Sequence, residues 1–304
     1  MLKKYFFAFL HYFGLIKLAA WLNRKKVMIL CYHCVTPRPD LISSDPWKMF
    51  LGVDSFASQL DFLKKNYNVI SLQEYIDARR CCRPLPPYSV VLTFDDGKRN
   101  FLTVIAPFLT NLNLSATTFV VVGNTDKAFF VNGSQNPHGW KPEDDRQDLS
   151  WEDINRLMKN EKIEIGSHTL THPSLSEIAC DEAESELKLS YEHLLNRTQC
   201  ANVAIAYPHG QASEEIMKLA ETVGYSCGLT NTDAGNDFET NLFSLNRTVI
   251  KSDDDPYLFA ARLAGITWRL KQLKNLVRVS NVKVGLSKDE KLKLNEDFIK
   301  NASF

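Results

Sequence analysis

Apolar residues recur along the chain in two alternating rhythms. Short apolar, often β-branched runs have the length of buried strands: Val27 to Tyr32, Tyr67 to Ile70, Ser89 to Phe94, Ala116 to Val122, Ile163 to Ile165 and Val203 to Ala206. Between them the spacing turns helical. Phe56, Leu60, Phe62 and Leu63 follow an Asp54 or Ser55 N-cap, and further helical patterns follow Ser71 and cover Phe101 to Leu112, Asp181 to Leu195 and Ser213 to Val223. A last strand region runs from Leu242 to Ile250. Strands and helices in alternation predict parallel strands with helices outside, hence an α/β fold of the (β/α) barrel type, open or distorted.

Three stretches depart from that rhythm. Residues 123 to 148 are rich in Asn, Gly, Pro and Asp without a period, and a loop of that length in a compact domain is functional or disordered. Its aromatics Phe129, Phe130 and Trp140 either line a ligand groove or ride a surface excursion. The N-terminus is basic at Lys3 and Lys4, apolar from Tyr5 to Ile16, and interrupted by Lys17. That run is shorter than the roughly 20 residues a bilayer-spanning helix needs. No small-residue cleavage site follows, and Arg24-Lys25-Lys26 restores the positive charge.

On a helical wheel Lys3, Lys4, His11, Lys17 and Lys25 share one broad arc, which predicts that residues 1–26 form an interfacial helix on an anionic membrane. An uncleaved anchor and a packed terminal helix are the alternatives. From Pro256 a helix is expected to about Leu276, with Arg262, Arg269, Lys271, Lys274 and Arg278 among Leu, Trp and Val, and then a lysine-rich tail. This segment, 253–304, reads as a packing helix that would also suit an anionic surface. The barrel occupies 27–252.

Composition narrows the partner. Lys plus Arg and Asp plus Glu are 36 each, so no net field favours nucleic acid. The cysteines Cys31, Cys34, Cys81, Cys82, Cys180, Cys200 and Cys227 are an odd set without the spacing of a disulfide scaffold, which points to a reducing compartment. The expected location is therefore the cytoplasmic face of a membrane, with a periplasmic or extracellular anchored protein as the alternative. Cys31-Tyr32-His33-Cys34 is a lone C-x-x-C, read as two small buried residues at a strand end rather than as half of a zinc site.

The chemistry gathers at two strand ends. Ser89 to Phe94 is apolar and ends in Asp95-Asp96-Gly97. Neighbouring side chains on a strand point to opposite faces, so both acids can serve one site only where the pleat breaks, as Gly97 allows. Adjacent carboxylates repel, and a cation relieves that. About seventy residues on, Ile163 to Gly166 leads into Ser167-His168-Thr169-Leu170-Thr171-His172-Pro173, whose histidines at i and i+4 would share one face of a helical turn. One acid plus two histidines leaves open positions on a metal, a catalytic rather than a structural ligand count.

These residues carry a resemblance. Thr93-Phe94-Asp95-Asp96-Gly97 with Ser167-His168-Thr169-Leu170-Thr171-His172-Pro173 resembles the first two motifs of the NodB-homology polysaccharide deacetylases, carbohydrate esterase family 4. The similarity runs from about Val27 to Ile250 and includes Leu149-Ser150-Trp151 and Ala206-Tyr207-Pro208-His209-Gly210. It implies a distorted barrel of about seven βα units. It also implies a hydrolase that removes acetyl groups from an N-acetylated glycan with a divalent metal, zinc being the expected ion. Asp96, His168 and His172 would hold the metal and Asp95 would be the general base. Tyr207-Pro208-His209 would supply an oxyanion N–H from Tyr207 or His209.

Two departures from the family pattern stand out. Ala206 occupies the place where many relatives carry an arginine, and Arg247 is the candidate to hold Asp95 instead, with a plain surface arginine as the alternative. No histidine follows His209, where the family usually has its general acid. Leu30-Cys31-Tyr32-His33-Cys34-Val35 resembles the Tyr-His signature of the biofilm-polysaccharide branch, which implies His33 as the acid. Two other function classes remain open from the sequence: a glycan-binding protein without turnover, and a two-histidine, one-carboxylate iron oxygenase. The βα alternation argues against the latter.

Overall fold

The computed structural model describes residues 2–125, 147–200 and 202–284, with side chains from 5 to 275 within those bounds. The loop aromatics Phe129, Phe130 and Trp140 lie outside the described residues, as does the lysine-rich tail.

Two N-terminal helices, α1 (Leu2–Tyr12) and α2 (Leu15–Leu22), lead to strand β1 (Met28–Tyr32). A small side sheet pairs β2 (Cys34–Thr36) with β3 (Phe50–Gly52) around helix α3 (Pro39–Ser44). Then come α4 (Val53–Asn66), β4 (Asn68–Val69), α5 (Leu72–Arg80) and β5 (Ser89–Phe94). A π-helical turn, Phe101–Ile105, runs into α6 (Ala106–Leu112), followed by β6 (Ala116–Val120) and α7 (Val122–Thr125). The second half holds α8 (Trp151–Leu157), β7 (Ile163–Ser167), α9 (Cys180–Thr198), β8 (Ile205–Ala206), α10 (Glu214–Val223), β9 (Gly228–Leu229) and β10 (Thr248–Val249). Helices α11 (Pro256–Leu263) and α12 (Ile266–Val284) close the described chain.

The main sheet has the order β10-β1-β5-β6-β7-β8-β9, with β4 paired to the start of β5, and every pairing is parallel. A parallel bridge from Leu229 of β9 to Leu245, just before β10, brings the two ends of this curled sheet together. The fold is therefore a distorted (β/α) barrel of seven strands with one accessory strand. The strands are buried on both faces, and their period of two divides the core. Leu30, Leu92, Val120 and Ile165 pack outward with Phe56, Leu60, Leu187 and Leu194 of α4 and α9, while Ile29, Val91, Phe119 and Ala204 face inward.

Several expectations need correcting. Helix α4 begins at Val53, so Asp54 and Ser55 lie in its first turn and Gly52 is its N-cap, without a side-chain cap. The region Leu242 to Ile250 contributes only the two-residue β10, because Asn241 and Asn236 hold its first part in turns. The N-terminal segment is two helices bent by 76°, broken where Gly14 takes φ 71, so its lysines do not share one wheel. The C-terminal helix is likewise broken, at Gly265 (φ 83). Helix α5 is not an outer helix: its Leu72, Tyr75 and Ile76 join the inward cluster and close one mouth of the barrel. Its N-terminus is held by Glu164, an inward residue of β7, which accepts from the N–H groups of Leu72 (3.2 Å) and Gln73 (3.1 Å) and from Thr117 Oγ1 (2.6 Å).

Candidate active site

Strand β5 stays in register with β1 to its end, and the Asp95 N–H still donates to Tyr32 O at 2.9 Å. The pleat then breaks at Asp96 itself, which takes φ 72, and continues left-handed through Gly97 at φ 57. A Cβ on Gly97 would come within 2.8 Å of the Val120 backbone, so only glycine lets this turn press against β6. The break turns the two carboxylates toward one rim. Asp95 is buried on the inner side, and Asp96 keeps 30% of its side-chain surface exposed.

His168 follows β7 directly, its N–H donating to Val120 O at 2.8 Å. The segment to His172 is a loop rather than the helical turn expected from the i, i+4 spacing, with left-handed backbone at Thr169 (φ 66) and His172 (φ 67). Such a conformation is strained for a β-branched threonine, so the surroundings must impose it. Glu186 of α9 does so: it accepts from the N–H groups of Leu170 (2.9 Å) and Thr171 (2.8 Å) and from Thr171 Oγ1 (2.5 Å). One turn along, Ser190 bonds the Tyr225 hydroxyl (2.8 Å), which donates to Ser167 Oγ (3.1 Å). Ser167 Oγ takes the Thr169 N–H, and Thr169 Oγ1 takes the His172 N–H. The loop that carries both histidines is thus anchored at each end by one helix.

Asp96 Oδ1 lies 3.6 Å from His168 Nε2 and 3.7 Å from His172 Nε2. These separations are too long for hydrogen bonds, whereas three donors each about 2.1 Å from a common ion stand roughly 3–3.5 Å apart. The residues fit a divalent metal. His168 Nδ1 donates to Ala206 O at 2.7 Å, which leaves the Nε2 lone pair aimed at the cradle. Burial holds the His168 pKa down, and burial together with the neighbouring His168 brings His172 to about 4, so both imidazoles favour the neutral form that could bind a metal.

Asp95 is bound on its other side. Arg247, fully buried, donates from Nη1 to Oδ1 at 2.7 Å and from Nη2 to Oδ2 at 2.8 Å. Its Nε donates to Thr230 O at 3.1 Å. The buried Cys31 thiol adds a contact to Oδ2 at 3.3 Å. Burial by itself would raise the Asp95 pKa, but the Arg247 guanidinium and His168 outweigh it and hold the carboxyl well below the usual range. Arg247 is therefore no surface arginine. His33 sits between β1 and β2, with its Nδ1 buried and without a hydrogen-bond partner among the described residues, in a group whose ligand atoms, with those of Cys31 and Asp95, lie within 4.8 Å of one another.

The turn after β8 resolves the two candidate oxyanion donors differently. The Tyr207 N–H extends the sheet by donating to Leu229 O at 3.1 Å, and its hydroxyl donates to Phe243 O inside the core, so Tyr207 is committed to structure. Pro208 has no N–H. His209, at φ 58, carries the donor that remains, and its ring meets His172 edge-on at 5.1 Å. Sequence reasoning missed Glu186 and Tyr225, which carry no motif, and took Cys31 for packing alone.

Residues 83–228 match the family described as polysaccharide deacetylase. The chain is 23% identical over 239 residues to YxkH of Bacillus subtilis, a match covering 75% of this chain and 74% of that one. It is 22% identical over 278 residues to the poly-beta-1,6-N-acetyl-D-glucosamine N-deacetylase of Escherichia coli K12; this covers 82% of this chain but 40% of the relative's length. The solved structure of Streptococcus pyogenes deacetylase PplD in complex with acetate matches with a TM-score of 0.66 and 26% identity, over 78% of this chain and 98% of that one.

Proposed function

We propose, on the premise that this chain carries a polysaccharide deacetylase domain and is a carbohydrate N-deacetylase, that it hydrolyses the acetamido group of N-acetylhexosamine residues in a glycan with the help of a divalent ion, zinc first among candidates. The observation that carries this reading is the cradle of Asp96, His168 and His172 beside a carboxylate, Asp95, that points to the same rim yet is clamped by Arg247. The ion would supply Lewis-acid polarisation of the amide carbonyl and a more acidic water.

The chain's own groups do the rest. Asp95, kept ionised by Arg247, accepts a proton from the attacking water. The His209 N–H donates to the oxygen that gains charge. His33 protonates the departing sugar nitrogen, so that amide and water become acetate and amine. The Arg247 and Cys31 contacts leave Asp95 one orientation, an advantage in a step that depends on placement.

The test is acetate release from β-1,6-linked N-acetylglucosamine oligomers, the glycan for which the E. coli relative is named. Turnover should vanish with a chelator and return with zinc. His168→Ala and Asp96→Asn should lose bound metal and turnover together. Asp95→Asn should keep metal while turnover falls by roughly 10²–10⁴, the range for a general base. Stoichiometric metal in His168→Ala, or full turnover in the chelated protein, would overturn the assignment.

A further inference from the structure

One surface of the molecule is apolar on its outside. Helices α1 and α2 bury Phe7 and Ile16 against Leu258, Ala260, Ala261 and Ala264. Their larger residues face away from the protein: Phe9, Tyr12 and Phe13 are 53, 78 and 68% exposed, and Leu18, Trp21 and Leu22 are 53, 50 and 55% exposed. A water-facing amphipathic helix does the reverse. Single exposed apolar residues are ordinary, but a contiguous aromatic patch on consecutive helices marks an interaction surface.

Charge identifies what covers it. No Asp or Glu occurs from Met1 to Pro39, and none from Pro256 to Lys288, although the chain has 36 such residues. The fold brings the helices of these two acid-free stretches together. Asn23 donates to Ala264 O at 2.8 Å and accepts from Arg269 at 3.0 Å, so α2, α11 and α12 form one body. Lys17 and Lys25 are exposed beside the aromatics, and Lys274 is exposed on α12 next to Leu273. A second copy of the chain is a poor occupant, because a two-fold contact would set the exposed Lys17, Lys25 and Lys274 of one face against those of another. The helices are short, 11 and 8 residues, bent 76° and tied to α11, so they suit lying along a surface rather than crossing a bilayer.

We propose that α1 and α2, with the adjoining α12, dock the protein peripherally on an anionic lipid bilayer, with the aromatic side chains in the interfacial layer and the lysines at the headgroups. A cavity of about 850 Å³ opens beside this face, lined by Phe6, Phe7 and Trp47 together with Lys251 and Lys274. Its two acids are each paired with a lysine, Asp233 with Lys271 and Asp253 with Lys48. Asn231 lines the same cavity and backs Gly210 of the turn that carries His209, so the docked face adjoins the rim of the candidate active site. The docking itself does not depend on the deacetylase reading.

The full chain should sediment with vesicles of phosphatidylcholine plus phosphatidylglycerol, sediment less with phosphatidylcholine alone, and lose binding as salt rises. The triple variant Phe9→Ser, Phe13→Ser, Trp21→Ser should bind about tenfold more weakly or worse, with an unchanged circular dichroism spectrum, since all three side chains are exposed. Lys17→Glu with Lys25→Glu should remove the preference for phosphatidylglycerol. Wild-type protein that stays in the supernatant, or a triple variant that binds as well as wild type, would overturn the proposal. So would a wild-type dimer that the triple variant converts to monomer without any vesicle binding.

Discussion

Arg247 shows how much can rest on one side chain. It is fully buried, its guanidinium makes a bidentate pair with Asp95, and its Nε is satisfied by Thr230 O. Replacing it with Met leaves a carboxylate buried without its counter-charge, an arrangement that costs about 3–5 kcal/mol. Arg247→Met should therefore lower the urea midpoint and abolish acetate release. Arg247→Lys should restore little of either, because an ammonium cannot span both carboxylate oxygens while also reaching Thr230. A lysine variant with wild-type turnover would mean that charge alone, and not the fork, positions Asp95.

At the scale of elements, α9 and the loop that carries His168 and His172 form one device. A strand end delivers His168, but the loop that returns His172 needs left-handed backbone at Thr169 and at His172, and Glu186 fixes it by three hydrogen bonds. Glu186→Leu keeps the bulk but removes both acceptor oxygens, so the Leu170 and Thr171 N–H groups, which share Oε2, lose their partner together. Divalent-metal affinity should fall by about 10–100-fold, as for other outer-shell changes. Competition with a metallochromic chelator reads this directly. Unchanged affinity would confine Glu186 to helix packing.

For the whole molecule, pH acts on these buried groups in one direction. The histidines have folded pKa values below their ordinary 6.5, His172 at about 4, so the unfolded chain binds more protons there and metal-free protein loses stability as pH falls from 6.5 toward 4. Asp95, also depressed, contributes stability that is present above the ordinary aspartate value of about 3.9 and is lost as pH falls below it. The imidazoles should thus lower the denaturant midpoint of the metal-free protein from pH 7 toward pH 5, while the raised carboxyls of Asp148 and Asp254 oppose the fall at more acid pH. Bound metal should steepen the upper part of that decline, since protons compete for the ligands. A midpoint flat between pH 7 and 5 would contradict the buried neutral state of the two imidazoles.

What the sequence determined by itself was local: the alternation of strand and helix, and the placing of Asp95, Asp96, His168 and His172 at strand ends, because apolar period and motif spacing are written within a few residues. It also held the acid-free stretches 1–39 and 256–288, without showing that their helices meet. Tertiary structure decided which groups, far apart in the chain, share a site. Arg247 reaches Asp95 across 152 positions, Glu186 braces a loop that lies before it in the chain and with which it shares no motif, and the N-terminus of the inward-packed α5 is held by Glu164 of β7. Tyr207 and His209, two residues apart and equivalent as candidates in the sequence, were separated by a single hydrogen bond to Leu229. The reason is physical: propensity and pattern act between neighbours, whereas a buried charge or an unpaired N–H is satisfied by whatever the folded chain brings within about 3 Å.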